Sequence, residues 1–259
     1  MAGLQIMCCW GHHFIADHLG LDATVVDLGM NQGGFASYII ANTRARVIGA
    51  EPLFELYSIL PKNDRLVAHN VAVGGSDGSA RLRVHKRHCA SILSDLVKEE
   101  IPERETEVPV LSFKSFLRLD HIDRVQLLKL DIEGAELDLL ESVSDDLLKN
   151  IEQITVEFHD FIDPSHRPRI KSILSRLRKL GFFIVNFSIR NHADILCVND
   201  AAFGLSMSGK AQLLLSNAKQ AARRLARRYL RLARSATRET LDVPIRTNPP
   251  VSPVREGSR

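Results

Sequence analysis

Along most of this chain, short apolar runs alternate with stretches in which apolar residues recur every three or four positions. The runs suit strands covered on both faces, and the periodic stretches suit helices packed on them. Thr24–Leu28 reads as a strand, followed by a glycine turn over Gly29–Gly34 and a helix over Phe35–Asn42. Arg46–Glu51 is a second strand, Phe54–Leu60 a short helix and Arg65–Val73 a third strand. Gly74, Gly75 and Gly78 mark a turn into an edge strand at Arg81–Lys86, and Glu107–Phe113 adds another before a helix near Leu117. Val125–Asp131 and Ile154–Phe158 are strands separated by a helix over Ala135–Lys149. Pro168–Leu180 is a helix closed by Gly181, and Phe182–Ser188 with Asp194–Asn199 forms a closing hairpin. This alternation predicts an α/β fold: a doubly wound, mostly parallel sheet with right-handed crossovers and a terminal antiparallel hairpin.

The expected organisation is a helical lead-in over residues 1–23, a domain over 24–203, a basic amphipathic helix over 204–240 and a disordered tail over 241–259. The 259 residues suffice for one such domain with an appendage. No apolar run approaches the ~20 residues that span a bilayer, and MAGLQIMCCWG lacks the basic start of a secretory signal. The four cysteines, Cys8, Cys9, Cys89 and Cys197, show no CxxC spacing, so a reducing cytoplasm is the expected setting. Residues 201–259 hold 12 Lys and Arg against 3 Asp and Glu, which leaves the acidic excess in the first 200 residues. The basic character therefore belongs to the tail.

Two constellations carry chemistry. In the first, Asp27-Leu-Gly29-Met-Asn31-Gln-Gly33-Gly34 joins strand to helix. Gly29 and Gly33 would let the backbone approach a ligand, and the helix start offers free N–H groups. Glu51 ends the next strand, at the spacing where an acid grips ribose hydroxyls. Asn31 replaces the middle glycine of a dinucleotide fingerprint, and Asp27 would repel a pyrophosphate while suiting a cationic ligand such as S-adenosylmethionine. Asn70, at the end of the third strand, is placed to bond an adenine ring or to form a turn.

In the second, VQLLKLDIEGAE puts Asp131 at a strand's C-terminal edge, where ligands bind in open α/β sheets. Glu133 and Glu136 follow at the helix start, a position the helix dipole also favours for acids. Glu157 and His159, two residues apart, point to the same side of the neighbouring strand. Asp131, His159 and Glu157 are the candidate catalytic groups, Asp131 and His159 as bases. Carboxylates crowded in this way repel one another unless one is protonated or a cation sits among them, so a divalent metal bridging Asp131 and Glu157 is a further expectation.

VVDLGMNQGGFASYI, VIGAEP, HNVAVGG, LLKLDIEGAELDLLE and ADILCVN resemble, in order and spacing, the FkbM-type family of S-adenosylmethionine-dependent methyltransferases. The resemblance covers roughly Thr24–Asn199. It implies a seven-stranded Rossmann-like class I methyltransferase sheet and O-methylation of a hydroxyl on a sugar, glycolipid or natural product. It assigns the cofactor S-adenosyl-L-methionine to Asp27, Gly29, Asn31, Gly33, Glu51 and Asn70. Met30 and Gln32 depart from the family's usual residues in the loop.

The rival readings are an NAD-dependent oxidoreductase, opposed by Asn31 and the terminal hairpin, and an RNA-binding protein or RNA methyltransferase using the basic tail. No basic patch studded with aromatics in residues 1–200 supports a nucleic-acid partner. Residues 210–238 carry apolar positions at helical spacing among arginines. They suit packing on the body or peripheral contact with the inner face of a membrane. Asn248-Pro-Pro-Val251 resembles the NPP(Y/F) box of amino-methyltransferases but lies in the tail rather than after the fourth strand, and reads as coincidence.

Overall fold

The structure is a computed structural model that describes residues 3–84, 90–91 and 104–241, with side chains except at 90–91 and 227–241. Its centre is a seven-stranded sheet in the order β12-β13-β11-β10-β3-β4-β5. These strands are β3 (Thr24–Leu28), β4 (Arg46–Ala50), β5 (Leu66–His69), β10 (Leu127–Leu130), β11 (Gln153–Val156), β12 (Phe182–Asn186) and β13 (Ile195–Asn199). β13 alone runs antiparallel to its neighbours, between β11 and β12. The expected doubly wound sheet and closing hairpin are both present.

Every residue of β3, β10, β11 and β13 is buried, as strands covered on both faces must be. Side chains alternate between two cores. Val26, Leu28, Ile48, Leu128 and Leu130 pack with Phe116, Leu139 and Ile170. The last three belong to α3 (Phe113–Leu119), α4 (Glu136–Ser142) and α6 (Arg167–Lys179). Val25, Val47 and Leu127 point the other way, onto Phe35 and Ile39 of α1 (Gly34–Asn42).

The first strand order change lies between β3 and β10, which pair in parallel with Asp27 opposite Lys129. β3 leads out to β4 and β5 on one side, while β10 leads to β11 on the other. Their C-terminal ends form the switch point of the sheet.

Three sequence expectations change. The lead-in is a β-hairpin rather than a helix: β1 (Ile6–Cys9) pairs with β2 (His12–Ile15). Its two-residue turn has positive φ at both Trp10 (51°) and Gly11 (88°), the geometry that matches strand twist in tight hairpins. The strand expected over Arg65–Val73 breaks after His69, because the Asn70 amide donates to the carbonyls of Glu51 and Pro52. Its remainder, β6 (Ala72–Gly74), joins a separate sheet with β7 (Gly78–Val84), β8 (Ala90–Ser91) and β9 (Arg104–Ser112). The helix expected over Ala135–Lys149 divides at extended Val143, and Ser144 caps α5 (Asp145–Lys149) by accepting from Leu147 N. The edge strand expected over Arg81–Lys86 ends at Val84 among the described residues, with Lys86 outside them.

A short α2 (Phe54–Ser58) follows β4, and α7 (Asp200–Phe203) follows β13. α8 (Met207–Leu241) is one continuous helix over the expected basic segment. The chain divides into a unit of residues 1–219 and a unit of residues 220–259. Within the first unit, Leu213 of α8 is fully buried with Ile15, Phe187 and Val198. Leu214, one of the apolar positions within residues 210–238, is 54% exposed. The expected disordered tail beyond Leu241, with Asn248–Val251, lies outside the described residues. No helix among the described residues is long and apolar enough to cross a membrane.

Candidate active site

β3 ends at Leu28, and the backbone then turns through Gly29 (φ 79°), Asn31 (φ 51°) and Gly33 (φ 75°) into α1. Gly29 is dictated by contact as well as by φ: a Cβ there would stand 1.8 Å from the Asp131 carbonyl oxygen. Met30 turns into the core against Gly49, where a Cβ would lie 2.3 Å from its sulfur, so this unusual loop residue leaves the cleft open. The loop, the end of β4 and the start of β6 border a cleft of about 70 Å³.

Gly29, Asn31, Glu51, Val71–Val73, Leu82, Asp131 and Glu133 are among its lining residues. Glu51 is buried at the end of β4. One of its oxygens accepts from Asn31 N at 2.7 Å, the other from Leu53 N at 3.0 Å. Burial pushes its carboxyl up to about 7 against those two hydrogen bonds.

Of the residues expected at a cofactor, Gly29, Asn31 and Glu51 line this cleft, whereas Asp27, Gly33 and Asn70 are not among its lining. Gly33 precedes α1 and packs against Pro61. Asn70 holds the 51–52 backbone through its amide. Asp27 is fully buried beneath the loop, with Lys129 Nζ 3.3 Å from its Oδ1. Lys129, buried in an otherwise apolar strand, donates to the Gly29 carbonyl at 2.6 Å and also stands 3.5 Å from Asp131 Oδ2. Burial works against the ammonium, but Asp27 and Asp131 outweigh it and raise its pKa. The expected cationic partner of Asp27 is thus supplied by the chain itself.

Asp131 also belongs to an acidic, histidine-bearing cluster. Asp131 N donates to Leu28 O and Glu157 N to Leu130 O, which places both carboxylates at adjacent strand ends. His159 Nε2 lies 3.9 Å from Asp131 Oδ1 and 3.4 Å from Glu133 Oε2, and its Nδ1 faces Glu136 Oε1 at 3.3 Å. The five groups expected from sequence therefore converge.

The loop that bears His159 is fixed by buried Asp160, which accepts from His192 N and from the Arg167 guanidinium. Glu136 accepts from Ile132 N and Gly134 N, so it clamps the loop between β10 and α4. Glu133 adopts φ 53° in that loop and borders the cleft.

One member was not foreseen. His12, from the N-terminal hairpin, brings Nε2 to 3.5 Å from Asp131 Oδ2. The hairpin is anchored by Gln153, whose amide group both donates to and accepts from the Ile15 backbone. The His13–Asp194 pair at 2.6 Å and the stacking of His13 on Phe187 add to that anchor. The tandem His12-His13 beside a Trp-Gly turn was the available signal.

The environments set opposite proton preferences. Burial would raise Asp131, but Lys129, His12 and His159 hold it well below the usual carboxylate range. Glu157 is pushed up to about 7 by burial and by Asp131. Burial would lower His159, but Glu136, Glu133 and Asp131 outweigh it and raise it to about 9.

The sequence profile of the methyltransferase FkbM domain matches residues 27–184, more than half of the chain. AMB antimetabolite synthetase AmbE of Pseudomonas aeruginosa is 29% identical over a region covering 66% of this chain and 10% of that protein. Methyltransferase 1 of Beauveria bassiana is 27% identical, covering 54% of this chain and 66% of its own length. The chain thus spans a tenth of the first relative and just under two thirds of the second. Among solved structures, the Methanococcus jannaschii fibrillarin pre-rRNA processing protein aligns over 76% of this chain and 70% of its own, at 14% identity and a TM-score of 0.39. The match spans the glycine loop, the Glu51 strand end and the Asp131–Glu136 turn, and on that ground the chain belongs to the methyltransferase FkbM domain family.

Proposed function

We propose that this chain transfers a methyl group from S-adenosyl-L-methionine to a hydroxyl oxygen of a sugar, glycolipid or natural-product acceptor. The observation that carries the reading is that Glu51, the glycine loop and Asp131 line one cleft, while Asp131 also stands 3.9 Å from His159 in the acidic cluster. The residues fit such a cofactor. Glu51 uses one lone pair of each oxygen on backbone N–H groups and keeps the others for ribose hydroxyls. Gly29 keeps the loop backbone against the strand ends, and Val71–Val73 with Leu82 offer an apolar wall for a base.

When bound, the cofactor supplies an electrophilic methyl on a sulfonium. The chain's own task is to hold the acceptor oxygen in line with it, an alignment worth roughly 7–11 kcal/mol in good cases, and to take the hydroxyl proton. Asp131, Glu157 and His159 surround the place where that hydroxyl must sit. A positioned acid or base of this kind contributes about 10²–10⁴-fold.

Trp10, 77% exposed at the hairpin turn, lies beside Gly34, and exposed Phe161 lies 5.5 Å from the His159 ring. These aromatic faces beside the site support an acceptor with a ring or apolar face.

Titration calorimetry with S-adenosylmethionine should show one binding event. Labelled methyl transfer into cell extracts, followed by mass spectrometry, should yield an O-methylated product. Failure to bind the cofactor would remove the proposal.

A further inference from the structure

We infer that His12, Asp131 and Glu157 form a divalent-cation site at the Asp131 edge of the cleft. The inference deepens the proposed function, because the ion would sit where the acceptor hydroxyl is held. One donor atom from each of the three side chains lies within 4.8 Å of the other two, a spread that one ion with metal–ligand distances near 2 Å closes with small side-chain motions.

Clustered acids alone would not establish a site; His12 supplies the second observation. It is 1% exposed, and its Nε2 is fully buried and finds no hydrogen-bond partner among the described residues. That nitrogen is aimed at Asp131, while the opposite nitrogen, Nδ1, faces the Thr155 hydroxyl at 3.4 Å. With the ring proton on Nδ1 toward Thr155, Nε2 would turn a lone pair into the carboxylates, the arrangement by which proteins orient an imidazole toward a metal. A buried imidazole nitrogen without a partner is costly, and a Lewis acid between it and two carboxylates relieves that cost.

His159 faces carboxylates with both nitrogens, Glu133 at 3.4 Å and Glu136 at 3.3 Å, although its Nδ1 is likewise buried without a hydrogen bond among the described residues. Charge agrees. Asp27, Asp131, Glu133, Glu136 and Glu157 gather around Lys129 and His159, so that carboxylates outnumber the cations beside them among the described residues. One imidazole with two carboxylates suits manganese, iron or zinc better than magnesium, which prefers an all-oxygen shell.

The experiment uses the full chain, stripped with EDTA and titrated with Mn²⁺ alone, the free ion being counted by its paramagnetic resonance. One tight equivalent per chain is expected. His12→Gln and, as an independent and less buried change, Glu157→Gln should each weaken it by about 10-fold or more. Thr155→Val should weaken it within the roughly 10–100-fold range of outer-shell partners. His18→Gln, whose ring pairs with Glu152 away from the cluster, should leave binding unchanged.

Absence of a tight Mn²⁺ equivalent in the wild-type chain overturns the inference, as does unchanged binding in both His12→Gln and Glu157→Gln. S-adenosylmethionine binding is measured separately in EDTA: cofactor binding without Mn²⁺ binding removes the metal site alone, and the reverse result removes the proposed methyl transfer alone.

Discussion

Lys129 stands in the middle of a buried strand, opposite Asp27 and beside Asp131, and no apolar-run argument gives it a place there. Its ammonium compensates two carboxylates at once, so removing it leaves buried Asp27 uncompensated and Asp131 with only its histidines. Lys129→Met should therefore destabilise the fold by about 3–5 kcal/mol, measured by urea unfolding. Adding Asp27→Asn should restore part of the loss, a non-additivity expected of partners in one network.

Asp131→Asn should keep cofactor affinity near wild type and lower methyl transfer by about 10²–10⁴-fold. Calorimetry beside single-turnover transfer separates the two, and unchanged turnover would remove Asp131 from the chemistry. Glu51 carries its own pH signature. With its carboxyl pushed up to about 7, it is largely neutral below that pH and ionised above it. A carboxylate accepts ribose hydroxyls more strongly than a neutral acid does. Affinity for S-adenosylmethionine should accordingly rise as pH passes from 6 through 8, and Glu51→Gln should flatten that rise.

At the scale of elements, the site depends on three turns that fix strand ends. The Gly29 turn lies against the Asp131 carbonyl, and Gly29→Ala adds both a clash at 1.8 Å and a strained φ of 79°. It should destabilise by about 3 kcal/mol or more, read as a lowered melting temperature together with lost cofactor binding. The turn after β10 hangs on Glu136, whose carboxylate accepts two buried N–H groups. The turn after β5 hangs on Asn70, which sends the chain out of the main sheet. Local pattern placed the C-terminal ends of β3 and β13, and those of β4 and β10 to within one residue, because apolar runs stop at polar residues. It could not show that Asn70 and Glu136 act as clamps, since their bonding partners are fixed only once neighbouring loops are brought together.

At the scale of the whole molecule, residues 1–219 make their own contacts as a unit. A chain ending at Lys219 should keep its melting temperature within a few degrees and keep its cofactor affinity. Loss of either would tie the remaining segment to the fold. The hairpin is the opposite case: it supplies His12 and is bound to the body through Gln153 and Asp194.

The sequence by itself determined the doubly wound sheet, its closing hairpin, the glycine loop, Glu51 at the next strand end and the acidic edge around Asp131. All are local or periodic signals, because burial on two faces demands apolar runs and a tight turn demands glycine. Only the tertiary structure decided that Lys129 answers Asp27, that Asn70 bonds backbone rather than facing the cleft, and that residues 1–23 fold as a hairpin delivering His12 to Asp131. Those contacts join positions about 20 to 120 residues apart. They arise from which strands become neighbours in the sheet, a matter of topology that no window of residues contains.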